Sequence, residues 1–169
     1  MMPRTYEPIA SQTLGSNTAS VEFTSIPGTY TDLILVQFAR NNTGAGYRTE
    51  AQVGNGSVDT GTNYSYTRLL GDGSTASSSR GSSTAFAWGG WSGNSTSTFD
   101  VNILHVMSYA NTNVFKTMLL QGGHTSLVAR IVSLWRSTSA ITNIKLTPEA
   151  SAQFVSGSTF SLFGIKASA

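Results

Sequence analysis

Four aromatic residues are the side chains best suited to recognition chemistry. Trp88 and Trp91 lie three apart in Ala85-Phe86-Ala87-Trp88-Gly89-Gly90-Trp91, and Tyr64 and Tyr66 share one face of a strand-like segment. Exposed, such rings stack on sugars or anchor a subunit interface, where Trp and Tyr are enriched. Buried, they are ordinary core. Both readings stay open at this point, and Tyr64, Tyr66, Trp88 and Trp91 are the candidate interface or glycan contacts.

Covalent, metal and acid–base chemistry have less to work with. The nearest approach to a nucleophile elbow, Gly90-Trp91-Ser92-Gly93, misses the G-x-S-x-G spacing, a near-miss to be expected in a chain with 25 serines. There is no cysteine, hence no thiol nucleophile, thiolate zinc site or disulfide. His105 and His124 have no second ligand at metal-binding spacing. His105 shares the parity of Phe99, Val101 and Ile103 and so reads as an interior residue, whereas His124 follows Gly122-Gly123 and reads as a turn residue. Asp59 and Asp72 sit in Gly-rich turns that lack the alternating Asp/Asn of a calcium loop. The eight carboxylates are not paired locally. A glycosidase brings two together in space, and solvent-facing charge is the simpler reading. The expectation is therefore no catalytic residue, no metal and no cofactor.

Charge points to no particular partner. Ten basic and eight acidic residues leave +2, and the cations are scattered rather than gathered on one face, which argues against nucleic acid. The longest apolar run, Leu33 to Val36, is far short of the roughly 20 residues of a membrane helix, and the first residues lack a signal-peptide core. A chain outside the membrane, assembled in a cytoplasm, is expected.

The elements that must position these residues follow from composition and period. Ser, Thr, Gly and Asn make up about 44% of the 169 residues, while charged residues reach only 11%, against about 25% in an average soluble protein. Helical bundles and coiled coils need charged surfaces, so they are excluded. Charged disorder is excluded as well, because 39% hydrophobic and 10% aromatic content supports a core. The length suits one domain.

Period-two alternation recurs in Tyr47 to Val53, around Val21 and Phe23, from Phe99 to Ile103, and at Phe160 and Leu162. Turn residues fall between such segments, at Pro27-Gly28, Gly54-Asn55-Gly56, Gly71-Asp72-Gly73, Gly122-Gly123 and Ser156-Gly157. The pattern predicts about nine to eleven short strands near 5–13, 19–25, 31–40, 46–54, 63–70, 84–91, 98–109, 114–121, 126–136, 141–147 and 159–166. The fold class is all-β, a single-domain antiparallel β-sandwich or jelly roll. Residues 1–20 form an N-terminal extended arm or first strand, and 21–169 form the sandwich. Gly71 to Thr84 is too polar to pack and reads as an exposed loop. Leu33 to Phe38 and Leu127 to Trp135 are apolar on both parities. They read as central strands covered by a second sheet on one side and by a loop or subunit on the other.

Several segments in order resemble a family of small, Ser/Thr-rich virion proteins and fibre domains of tailed bacteriophages. They are PIASQTL (8–14), VEFTSIPGTYTDLILV (21–36), NYSYTRLLGDGSTASSS (63–79), LWRSTSAITNIKLTP (134–148) and FVSGSTFSLFGI (154–165), spanning about 5–166. The resemblance implies a non-enzymatic, β-rich component of a phage virion without established catalytic residues. A capsid decoration (cement) protein, trimeric and bound to the major capsid protein, is the leading expectation. Its apolar and aromatic faces would close the oligomer, and its strand edges, N-terminal arm and Ser/Thr-rich loops would hydrogen-bond to the shell. The alternative is a tail-fibre or tail-tip protein that binds a receptor or glycan through Tyr64, Tyr66, Trp88 or Trp91. A virion-associated hydrolase is a third possibility.

Overall fold

Alternating side chains and Gly/Asn turns build thirteen strands in the computed structural model, which describes residues 5–43, 47–93 and 97–166. They are β1 (Tyr6–Thr13), β2 (Val21–Phe23), β3 (Asp32–Ala39), β4 (Tyr47–Asn55), β5 (Ser57–Val58), β6 (Tyr64–Gly71), β7 (Ala76–Thr84), β8 (Ala87–Ser92), β9 (Asp100–Val106), β10 (Lys116–His124), β11 (Leu127–Trp135), β12 (Asn143–Pro148) and β13 (Thr159–Ile165). Each expected strand segment is present. The first of them, read as arm or strand, is strand β1, zipped onto β13 from Tyr6↔Ile165 to Thr13↔Thr159.

Two strands were not expected. β5 is the short return after Gly56, whose φ of 75° lets the chain reverse. β7 occupies the segment read as an exposed loop. Asp72 sets its turn, accepting the Ser74 and Thr75 amides at 2.9 and 2.6 Å, and Gly73 takes a φ of 89°. From Ala76 the backbone then pairs with β6 up to Tyr64↔Thr84. The serines of β7 face water because the strand lies at the sheet edge. Their polarity reflects that position rather than a lack of structure.

The strands form two antiparallel sheets packed as a β-sandwich. One has eight strands in the order β1-β13-β3-β9-β10-β11-β6-β7. The other has five, with β2-β12-β4-β5 in a row and β8 also paired to β4. Leu33, Leu35, Leu104, Met118, Leu120 and Ile131 of the large sheet meet Val21, Phe23, Ala51, Val53, Ile144 and Leu146 of the small one in a buried core. Burying a side chain of this size contributes about 1.5–3 kcal/mol.

Strand β9 presents the face opposite to the expected one. Asp100, Asn102, Leu104 and Val106 point inward, and Val101, Ile103 and His105 point outward. Asn102 explains the inversion. Its amide bonds the Trp91 backbone of the other sheet, and two glycines leave it room. A Cβ at Gly90 would lie 2.4 Å from Asn102 Cγ, and one at Gly122 would lie 2.3 Å from Asn102 Oδ1. A polar side chain with a fitted, fully bonded slot displaces an apolar alternation that points the other way.

Candidate assembly face

The inverted β9 leaves the outer face of the eight-stranded sheet rich in apolar side chains. Register places them in rows that cross the strands. One row runs Phe163, Ile34, His105, Leu119, Val132 and Thr67. The next runs Ser161, Val36, Ile103, Gln121, Arg130 and Leu69. A third carries Phe38, Val101, Gly123 and Val128. Ten large hydrophobic side chains are exposed among the described residues. Seven of them (Tyr6, Phe38, Leu69, Val101, Leu119, Val128 and Val132) stand on this face. The other three, Met107, Val114 and Phe115, lie in the loop that joins β9 to β10. Exposed apolar residues scattered singly need no explanation, but a contiguous patch marks an interaction site.

The face is hollowed by a concavity of about 520 Å³, whose wall runs from Tyr6 and Phe163 over Ile34, Val36, Ile103 and Leu119 to Arg130. Polar groups are few. His105 Nε2 meets Asp32 Oδ2 at 3.1 Å, and Asp32 Oδ1 accepts the Ser108 amide at 2.7 Å, so each oxygen of the one carboxylate on the described strands of this face has one partner within the chain. Gln121 and the exposed Arg130 complete the polar set, with Arg80 at the margin. An apolar floor with a cation and a few hydrogen-bonding groups can receive another protein surface.

The five-stranded sheet differs in character. Arg48 there is bound by Glu50 at 2.8 Å and Glu149 at 2.5 Å, and its guanidinium lies 4.6 Å from the Phe86 ring centre. That charge is spent within the chain.

The four aromatics named from the sequence lie between the sheets and do not line the face. Tyr64 is 0% exposed, Trp88 4% and Trp91 5%, so none of the three offers a ring to a sugar or a partner; Tyr66 is partly buried against them. The fold brings three together, with Trp88 and Trp91 centroids 5.0 Å apart and Tyr66 edge-on to Trp88 at 5.7 Å. Tyr64 ties the interior instead, its hydroxyl accepting the Val53 amide and lying 2.9 Å from the Asp59 carbonyl. Burial pushes its phenol well above the ordinary value. At Gly81 the missing side chain leaves room for a ring: a Cβ there would lie 2.7 Å from Tyr66 Cε1.

Other polar sites are structural. Asp59 accepts from Trp135 Nε1 at 2.8 Å, Asn63 Nδ2 at 2.9 Å and the Gly61 amide at 2.8 Å. Burial opposes its ionisation, but these three donors outweigh burial and hold the carboxyl below its ordinary range. Asp100 is buried, one of its oxygens has no hydrogen-bond partner, and desolvation raises its pKa to about 6. His124 lies at the β10–β11 turn, as its neighbouring glycines predict, bonded to Ser126 at 3.1 Å. His105, expected inside, stands on the outer face against Asp32. Among the described residues no group of three or more His, Asp or Glu could hold a metal ion.

Sequence reasoning missed Leu69, Val101, Val128, Arg130 and Val132 as face residues. The signal was the double-parity apolarity of 33–38 and 127–135, which already required cover on two sides. No protein-family model matches the chain, and no curated protein matches it.

Proposed function

We propose that this protein is a non-enzymatic structural component of a tailed-bacteriophage virion, a decoration protein that binds the shell built from the major capsid protein. The observation that carries the reading is the outer face of the eight-stranded sheet, an apolar surface that water covers poorly and a neighbouring subunit covers well. The ordered segments that resemble phage virion proteins supply the particle. Contact with the shell falls to the sheet edge. β7 ends the large sheet, so one side of its backbone has no neighbouring strand, and its short serines keep that edge open. An edge of this kind pairs with an extended segment of another protein through main-chain hydrogen bonds. The tail-tip, glycan-binding alternative loses its aromatic platform, because Tyr64, Trp88 and Trp91 are enclosed.

Cryo-electron microscopy of purified virions of the phage that carries the gene tests the reading. Density that fits the sandwich at regular positions on the shell is the expected result. Density confined to the tail tip would overturn it.

A further inference from the structure

We infer that the outer face of the eight-stranded sheet is closed by the same face of a second copy of this chain, giving a two-fold dimer. The first argument is area. Six central strands spaced about 4.8 Å apart, each contributing about seven residues at 3.3 Å, present roughly 650 Å², and the two edge strands bring this to roughly 900 Å². That is about the area each partner contributes to a standard-size stable interface, and about a tenth of a small protein's surface; the whole chain exposes 8250 Å². A dimer therefore covers seven of the ten exposed large hydrophobic side chains and leaves Met107, Val114 and Phe115 of the β9–β10 loop outside the contact.

The second argument is the distribution of residue types. The middle of the face carries Ile34, Val36, Ile103, Leu119 and Val132 around two polar side chains, His105 and Gln121, while its margins mix the exposed Tyr6, Leu69 and Val128 with Ser161, Thr67, Ser78 and Arg80. Apolar contact area interspersed with a few hydrogen-bonding groups is the anatomy of a protein interface. Among the described residues, the rings on or beside this face are Tyr6, Phe38, Phe163 and Phe99, which stacks on Phe38 at 4.9 Å; all lie on one half of the face, so the floor as a whole suits side chains better than saccharides. Two twisted sheets packing face to face is also the arrangement that already forms the interior of this fold.

The third argument is charge. Arg130 stands on the sixth strand of the sheet and Asp32, the face's carboxylate, on the third, at equal distances either side of the midline between β9 and β10. Register sets Arg130 level with Val36, four residues along β3 from Asp32. A two-fold axis in the plane of contact and oblique to the strands therefore brings each Arg130 to the partner's Asp32, beside the His105 and Ser108 it already binds, and one complementary pair is formed twice. Isologous contact repeats every favourable pair in this way.

Sedimentation equilibrium of the full chain over roughly 1–100 µM, a range that brackets standard-size interfaces, is the direct test. The expected species has twice the 17.8 kDa mass of the chain. Val132→Glu and Leu69→Glu change half-exposed positions and leave the core intact; each should yield monomer with an unchanged circular-dichroism spectrum. Arg130→Glu should weaken the dimer at least about tenfold, whereas Lys145→Glu, on the five-stranded sheet, should not alter it. A monomer throughout the range would overturn the inference, as would a trimer, or a dimer indifferent to Val132→Glu and Leu69→Glu. The pairing goes beyond the virion reading, with which it shares this face, and the two fail separately: sedimentation decides the one and particle imaging the other.

Discussion

Asn102 and Trp91 exchange two hydrogen bonds across the gap between the sheets. The Trp91 amide donates to Asn102 Oδ1 at 3.1 Å, and Asn102 Nδ2 donates to the Trp91 carbonyl at 2.8 Å. A side chain of one sheet thus imitates a strand neighbour for the other. Gln37 joins the same carbonyl at 2.5 Å and reaches Thr49 at 3.3 Å. Asn102→Ala removes the amide and leaves a buried N–H without an acceptor. Urea denaturation should show a loss of about 2–4 kcal/mol. A change near zero would mean that water replaces the amide and that the bridge is dispensable.

The glycine slot around Asn102 gives a coupled prediction. In Gly122→Ala the new Cβ would meet Asn102 Oδ1 at 2.3 Å and the Val101 carbonyl at 2.8 Å, so destabilisation of about 2–3 kcal/mol is expected. In an Asn102→Ala background the Oδ1 contact is gone and the backbone contacts, with the Val101 carbonyl at 2.8 Å and the Cα of residue 102 at 2.9 Å, remain, so the cost of the same substitution should shrink. Strict additivity in a double-mutant cycle would disprove the slot.

Asp100 makes stability depend on pH. Its folded-state pKa of about 6 lies above the ordinary 3.8, so between these values the folded chain binds more protons than the unfolded one. Stability therefore falls as pH rises from about 4 to 6, by about 3 kcal/mol at roughly 1.4 kcal/mol per unit. Asp100→Asn should flatten this segment of the profile and exceed the parent protein in melting temperature at pH 8. A parallel profile for the two proteins would refute the assignment.

Asp59 acts with the opposite sign. Its carboxyl is held below the ordinary value, so its contribution is present above about pH 4 and disappears as acid protonates it. Asp59→Asn should lose about 1 kcal/mol at neutral pH, a figure kept small because the site is partly open to solvent. The indole ¹⁵N–H resonance of Trp135, bonded to Asp59 Oδ2 at 2.8 Å, should titrate with a midpoint under 3.8. A flat response would place the indole elsewhere.

Most of the fold was legible in the sequence, since alternation and turn residues located eleven strands. The features that escaped are those where local pattern and tertiary context disagree. β7 reads as a loop because an edge strand can be all serine when β6 supplies its hydrogen bonds. β9 reads inside out because Phe99, Val101 and Ile103 outweigh Asn102 by hydropathy, while only the fold reveals the slot between Gly90 and Gly122. The aromatics were ambiguous for a similar reason: no local signal tells an enclosed Trp88 from an exposed one. Conversely, the requirement that 33–38 and 127–135 be covered on both sides was readable, and it points to the face that remains open.

The place of β13 carries a consequence for how the chain is made. This strand, Thr159–Ile165, lies between β1 and β3, which both fall in the first quarter of the sequence and are made long before it. On a ribosome, β1 waits for a neighbour more than 140 residues downstream, from Tyr6 to Ile165. Pairings so distant in sequence form slowly, and the unfinished chain exposes strand edges while it waits. Closure of this edge of the sandwich therefore waits until β13 has been made and has paired with both β1 and β3. Nascent chains that stall before it are the species a chaperone would meet.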